Sequence, residues 1–266
     1  MARLGENRYG KAQIRLMKVD RTGDRHAVHD LNVSIALTGD MAATHLSGDN
    51  AAVLPTDTQK NTAYAFAREH GVGPVEEFAS RLARHLVDTH DSVHGARVHV
   101  EEYPWVRVEP HPHSFALSGG EARTATVRYD GRGERVVSGV AGLVLLNTTG
   151  SEFQGFMRDR YTTLAEASDR ILCTTVDATW RHAGPPADWD VSHAAARAAL
   201  VEAFADTYSR SLQQTLFAMG DRLVTACDSV AEVRLSLPNR HHFLVDLSPF
   251  DLDNPGEVFH VDDRPF

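Results

Sequence analysis

Cysteine is nearly absent: Cys173 and Cys227 are the only two in 266 residues. Two thiols without CxxC spacing form at most one bridge, so neither a disulfide scaffold nor a cysteine-rich metal site is expected, and a reducing cytosol fits. Positive charge is also in short supply. With 27 Lys and Arg against 36 Asp and Glu, the formal net charge is -9, which leaves no broad basic surface for a nucleic-acid backbone or an anionic membrane. No apolar run reaches membrane-spanning length, and the opening Met1-Ala-Arg-Leu-Gly-Glu6 lacks the apolar stretch of a signal peptide. The final Asp263-Arg264-Pro265-Phe266 is not a peroxisomal address, so the expected location is the cytoplasm. Small molecules and other protein chains remain as partners.

What is present is an ordinary globular composition, 42% hydrophobic and 24% charged, enough for one large domain or two small ones. Ile14, Leu16, Val33, Ile35 and Leu37 recur every second position on either side of the turn-forming Arg21-Thr-Gly-Asp24, which predicts a hairpin. A helix is expected from Thr56 to Glu69. After Gly71-Val-Gly-Pro74 a second follows, with Val75, Phe78, Ala79, Leu82, Ala83, Leu86 and Val87 on one stripe. Period two returns at Val98, Val100, Tyr103, Trp105 and Val108, read as one strand, and at Thr124 to Tyr129 as another.

The same order recurs downstream. Strands are expected at Val137 to Leu146 and Ile171 to Trp180, helices at Ser192 to Asp206 and Ser209 to Asp228, and strands at Val230 to Leu237 and His242 to Leu247. The reading is therefore α+β, ββααββ twice, with one domain over 1–135 and a second over 136–266. Two four-stranded antiparallel sheets with helices on one face leave edges to cover, which favours a symmetric oligomer.

Four stretches carry candidate chemistry. Ser151 to Leu164, continuing to Ser168-Asp-Arg170, gathers Phe153, Phe156, a Gly and several guanidinium groups in a segment too polar for core. An aromatic face beside a positioned Arg suits a flat anionic heterocycle, which stacks on the ring while the guanidinium fork holds two acceptors in plane. Arg8-Tyr-Gly-Lys11 places a Lys at a strand entrance. Leu54-Pro-Thr-Asp-Thr-Gln-Lys-Asn61 starts a helix with Thr56 or Asp57 as candidate N-cap, and a helix start also offers free amides to an anion. Ser236-Leu-Pro-Asn-Arg-His-His-Phe243 crowds Asn239, His241 and His242 into a loop between strands. A zinc reading through His94 and His99, or through His111 and His113, competes with these, but no third ligand can be placed.

Taken together the sequence resembles the urate oxidase (uricase) family. The matching residues are Tyr9-Gly10-Lys11, Thr56-Asp57 with Lys60-Asn61-Thr62, His111-Pro-His-Ser-Phe115, Phe153 with Gly155-Phe156, Arg158-Asp159, and Tyr161-Thr-Thr-Leu164. Asp169-Arg170, Thr175-Val-Asp-Ala-Thr-Trp180, Gln213 and Ser236-Leu-Pro-Asn239 with His241 complete the series in family order. Asn147 and Gln154 depart from the pattern, where relatives often carry Lys and Trp, and the segment after Trp180 is short.

The resemblance implies two tandem tunnelling-fold domains, a tunnel-shaped homotetramer with active sites between subunits, and oxidation of urate by molecular oxygen without metal or organic cofactor. It further implies that Phe153 stacks on the purine, that Arg170 and Gln213 grip its edges, and that Leu212 offers its amide. Thr56 and Asp57 would arrive from the neighbouring subunit; Lys11, Thr56 and His241 would relay protons; Asn239 would hold oxygen over the ring.

Overall fold

The computed structural model of the chain describes residues 2–262; the sequence readings at Met1 and at Asp263 to Phe266 lie outside the described residues. In chain order the elements are β1 (Tyr9–Asp20), β2 (Ala27–Gly39), α1 (Ala42–Leu46), α2 (Thr56–Glu69), α3 (Val75–Asp88), β3 (Val93–Tyr103), β4 (Trp105–Arg107), β5 (Phe115–Leu117) and β6 (Ala122–Tyr129). There follow β7 (Glu134–Asn147), β8 (Leu172–His182), α4 (Trp189–Asp206), α5 (Leu212–Ala226), β9 (Val230–Ser236), β10 (His241–Leu244) and β11 (Phe259–Asp262).

Alternation sets the sheet. Leu31, Val33, Ile35 and Leu37 of β2, and Ala96, Val98 and Val100 of β3, are buried on one face while the residues between them point away. Strands β1-β2-β3-β6-β7-β8-β9 join in that order into one antiparallel sheet. The helices cover the apolar face: α2 packs on β1, α3 on β3 and β6, α4 on β7 and α5 on β9. Burial concentrates in two clusters, one around Phe78, Leu82 and Val98, the other around Trp180, Leu200 and Leu223. The expected boundary at 135–136 falls inside β7.

The α+β architecture agrees with the sequence reading, and details of the strands and helix ends differ. The two halves meet edge to edge through β6 and β7, so the sheet is continuous rather than two separate four-stranded sheets. The strand read through Val98 to Val108 stops at Tyr103, because Pro104 cannot donate to the ladder; Trp105–Arg107 pairs instead with Phe115–Leu117. The strand expected at His242 to Leu247 is shorter, His241–Leu244, and pairs with β11 outside the main sheet. Helix α4 starts three residues early because the Asp188 carboxylate caps the amides of Asp190 and Val191.

A buried polar network ties the halves together. Glu76 on α3 accepts from Ser138 on β7 (2.7 Å) and from Arg123 on β6 (2.8 Å), and His182 Nε2 lies 3.0 Å from the Ser138 hydroxyl. Burial raises the Glu76 pKa even though Arg123 and Ser138 pull it down. Burial lowers His182 to about 4, and lowers His193, which leans on Trp180 at 5.6 Å, to about 4, with the Arg123 charge adding.

These shifts fix a pH dependence. Both imidazoles are neutral in the fold, so their stabilisation is complete above the unfolded value of about 6.5 and is lost as pH falls towards 4. At about 1.4 kcal/mol per pKa unit, and after discounting for partial solvent screening, the pair withdraws on the order of 3 kcal/mol. Glu76 acts in the opposite sense and blunts the loss. The expected result is a Tm that falls between about pH 7.5 and about pH 5, with a shallower fall in His182→Gln; an identical slope in that variant would count against the assignment.

Candidate active site

The first group of candidate residues sits where β1 meets α2. A β-bulge sets it: Lys11 pairs with Ile35 and Ile14 with Val33, so β1 spends one residue more than β2 across this interval. Gln13 takes a left-handed φ of 56° and its amide donates to Ser34 Oγ at 3.3 Å. Directly opposed residues share a face, so Lys11 stands on the helix-bearing face with Ile35. Gly10 is required here, because a Cβ would collide with the Ile35 carbonyl oxygen. Tyr9 anchors the entrance by donating to the Leu54 carbonyl at 2.9 Å.

Helix α2 begins with Pro55 as N-cap and Thr56 at its first position, which corrects the expectation that Thr56 or Asp57 caps it. No side chain caps this end, and Asp57 instead accepts from Lys60 and, at 3.0 Å, from Asn61. The Asp57 carboxyl is held below its usual value by the Lys60 hydrogen bond and charge, with a contribution from Lys11, which brings Lys11 and Asp57 into one electrostatic cluster. Exposed Thr56 and Asp57 therefore present open backbone amides at a helix N-terminus.

The second group comes from the other half. Phe153 exchanges backbone hydrogen bonds with Ala167, and the Arg170 amide donates to the Ser151 carbonyl at 2.8 Å, which sets the two side chains together. The Arg170 guanidinium carbon lies 5.3 Å from the Phe153 ring centroid. Its Nε is buried with no hydrogen-bond partner, and desolvation lowers its pKa. A half-buried guanidinium with an idle, buried Nε donor beside an aromatic face is a receptor for a planar anion.

Leu212 and Gln213 open α5, three residues later than expected, because Ser211 is the N-cap and accepts from the Gln214 amide. Among the described residues the amides of Leu212 and Gln213 have no acceptor. This end is tied to the Arg170 loop, since Ser209 pairs with Ser151 and the Glu152 amide donates to the Ser209 carbonyl at 2.8 Å. Asn239 pairs with Thr174 of β8, and its Nδ2 lies 3.4 Å from His241 Nδ1. Arg240 between them donates to the Thr175 hydroxyl at 2.8 Å.

The structure thus sets Phe153 beside Arg170 and Asn239 beside His241, and puts Lys11 within electrostatic reach of Asp57. Among the described residues, no hydrogen bond, ion pair or ring contact links Lys11, Thr56 or Asp57 to Phe153, Arg170, Leu212, Gln213 or Asn239. Five interstrand steps separate β1 from β8, which at about 4.8 Å each is about 24 Å along the sheet. The two groups thus stand at separate places on the sheet of one copy.

Several positioning residues carry no role in the sequence reading: Gln13 at the bulge, the hydroxyl chain from Thr215 through Ser209 to the Ser211 carbonyl, the Ser211 cap, and Thr174. Of these only Ser211 carried a readable signal, Ser-x-x-Gln at a helix start. Of the histidines of the zinc reading, His94 lies against Asp40 at 3.1 Å and His99 against Thr126 at 2.8 Å. Among the described residues no three His, Cys, Asp or Glu side chains gather to hold a metal ion, and no helix is long and apolar enough to cross a membrane.

Comparison with known proteins converges on one family. The sequence model described as Uricase matches residues 7–128 and 136–266. The uricase of Arthrobacter globiformis is 49% identical over 99% of this chain and 87% of its own, and that of Schizosaccharomyces pombe 38% identical over 93% and 88%. The crystal structure of the Arthrobacter globiformis uricase superposes with a TM-score of 0.96 at 48% identity, covering 100% of this chain and 92% of that one. A Bacillus fastidious uricase structure, at 22% identity and a TM-score of 0.82, shares the fold.

Proposed function

Because the chain belongs to the uricase family, we propose that it oxidises urate with molecular oxygen and water to 5-hydroxyisourate and hydrogen peroxide, without a metal or organic cofactor, on the way to allantoin. The observation that carries this reading is the Arg170 guanidinium, half-buried beside Phe153 with an unused Nε. Urate is flat and anionic, and meets both demands.

In this proposal Phe153 stacks on the purine, Arg170 and Gln213 hold its two edges, and the Leu212 amide adds a donor from the start of α5. Thr56 and Asp57 bind from a neighbouring copy, Thr56 by hydroxyl and amide and Asp57 through its backbone. Lys11, Thr56 and His241 relay protons, and Asn239 holds oxygen, or the water that replaces it, over the ring. Deprotonation makes an electron-rich dianion able to reduce oxygen directly. Urate gives up two electrons and two protons, both oxygen atoms of O2 leave as peroxide, and water supplies the new hydroxyl. The protein binds, deprotonates and positions.

A homotetramer with sites between subunits is supported by the five interstrand steps, about 24 Å along the sheet, from β1 to β8, by the open edges of β1 and β9, and by exposed apolar side chains such as Met157 and Phe217. Buried, unbridged Cys173 and Cys227 suit the cytoplasmic location we assign.

The test follows urate's ultraviolet absorbance in air with chelator-treated enzyme, then assays peroxide in the same sample. Urate loss with matching peroxide, undiminished by chelator, is expected. Urate that survives, or that is consumed only after metal is restored, would overturn the cofactor-free reading.

A further inference from the structure

The sheet face that carries no helix bears a row of arginines across its middle strands, beside the β6–β7 turn. Arg97 on β3 stands directly opposite Arg128 on β6, which stands opposite Arg135 on β7. Like charges in direct register destabilise a sheet, and here two such pairs adjoin. Arg181 and Arg234 stand nearby, and the five arginines border one cavity of about 220 Å³ together with Glu232.

Glu232 is shared by Arg181 at 3.2 Å and Arg234 at 2.8 Å. Among the described residues Arg97, Arg128 and Arg135 have no ion-pair partner. Five guanidinium groups thus share one cavity with a single carboxylate, in a chain whose net charge is -9. Burial and the charges of Arg128 and Arg8 together push the Arg97 pKa down, the mark of a cation lacking a counter-charge.

We infer that this cavity binds a linear polyphosphate anion, lying across β3, β6 and β7 and engaged by the guanidinium row. Strands about 4.8 Å apart make the row about 10 Å long, more than one tetrahedral oxyanion covers and suited to phosphoryl groups in line. Each planar guanidinium takes two phosphate oxygens at once. The acidic remainder of the chain repels a long nucleic-acid backbone but not a short anion held inside the cavity. Inorganic triphosphate and the triphosphate tail of a nucleotide share this chemistry. An occupant cancels the repulsion along the row, so it stabilises the folded protein by mass action.

The test uses the full-length protein in low-salt buffer, with inorganic triphosphate and adenosine triphosphate as probes and sodium chloride at matched ionic strength as control. Calorimetric binding and a Tm increase are expected with triphosphate and not with chloride. Equal affinity for the two probes assigns the site to the phosphoryl chain alone, and tighter binding of the nucleotide assigns it to nucleotides; either supports the inference. Arg128→Gln is expected to raise Tm without anion, by relieving both register pairs, and to weaken binding about ten-fold or more. Arg135→Gln provides the same reading should the first variant fold poorly. A Tm gain that chloride reproduces, or triphosphate binding undiminished in both variants, would overturn the inference. The readout is binding, so its failure is distinct from any failure of urate oxidation.

Discussion

Replacing Arg170 by alanine is expected to weaken urate binding about 100-fold or more, while the protein still folds and assembles. A hydrogen bond to a charged group contributes about 1.5–3 kcal/mol, and a guanidinium fork makes two, which at about 1.4 kcal/mol per decade gives at least that loss. Little folding energy is at stake, because the Arg170 Nε has no partner in the chain and the loop is held by its backbone bond to Ser151. Arg170→Lys keeps the charge without the planar fork and is expected to recover only part of the affinity. Equilibrium dialysis of urate under strictly anaerobic conditions measures binding apart from turnover. Full affinity in Arg170→Ala would remove Arg170 from the site.

The elements most readable in the sequence are those whose local pattern and tertiary role agree. In α3 the stripe Val75, Phe78, Ala79, Leu82, Ala83 and Leu86 is buried, with Val87 at its edge half-buried, because an amphipathic helix on a sheet has one apolar partner surface. The opening hairpin was equally legible, since two alternating runs flank one turn cluster. The end of the chain was not. Pro238 closes β9, its carbonyl accepts from Thr174 at 2.9 Å, and the chain leaves the sheet there, so an apolar run in His242 to Leu247 pairs locally with β11. Periodicity reports that a segment is extended, not which partner it takes.

The site shows the same limit. Alternation carried back from Leu16 and Ile14 assigns Lys11 to the helix-free face. One extra residue reverses that and sets Lys11 beside α2. No residue type in Lys11-Ala-Gln-Ile14 signals a bulge; Gln13 holds its left-handed φ because Ser34 across the ladder accepts its amide. Residues such as Phe153, Arg170 and Asn239 were recognisable as types in a familiar order, whereas the hydroxyl chain through Ser209 and Thr215 that steadies Leu212 exists only once the loops are folded.

The second large effect concerns Thr56, and it tests the relay and the two-copy site together. Thr56→Ala is expected to lower turnover by about 10²- to 10⁴-fold, the usual contribution of a positioned proton-transfer group, with a much smaller change in urate affinity because the backbone amide remains. Stability should barely move, since Thr56 is exposed and its hydroxyl caps nothing, the N-cap position being held by Pro55. Thr56→Ser restores the hydroxyl and should restore most of the rate. Turnover unchanged in Thr56→Ala would dismiss the relay. The Thr56→Ala and Arg170→Ala chains are each expected to be nearly inactive alone. If one site takes Thr56 from one copy and Arg170 from another, co-expression in equal amounts leaves about one site in four with both native residues. Recovery of activity on mixing requires that geometry; no recovery, with mixed oligomers verified, would place both residues in the site of a single chain and contradict the roughly 24 Å span between β1 and β8.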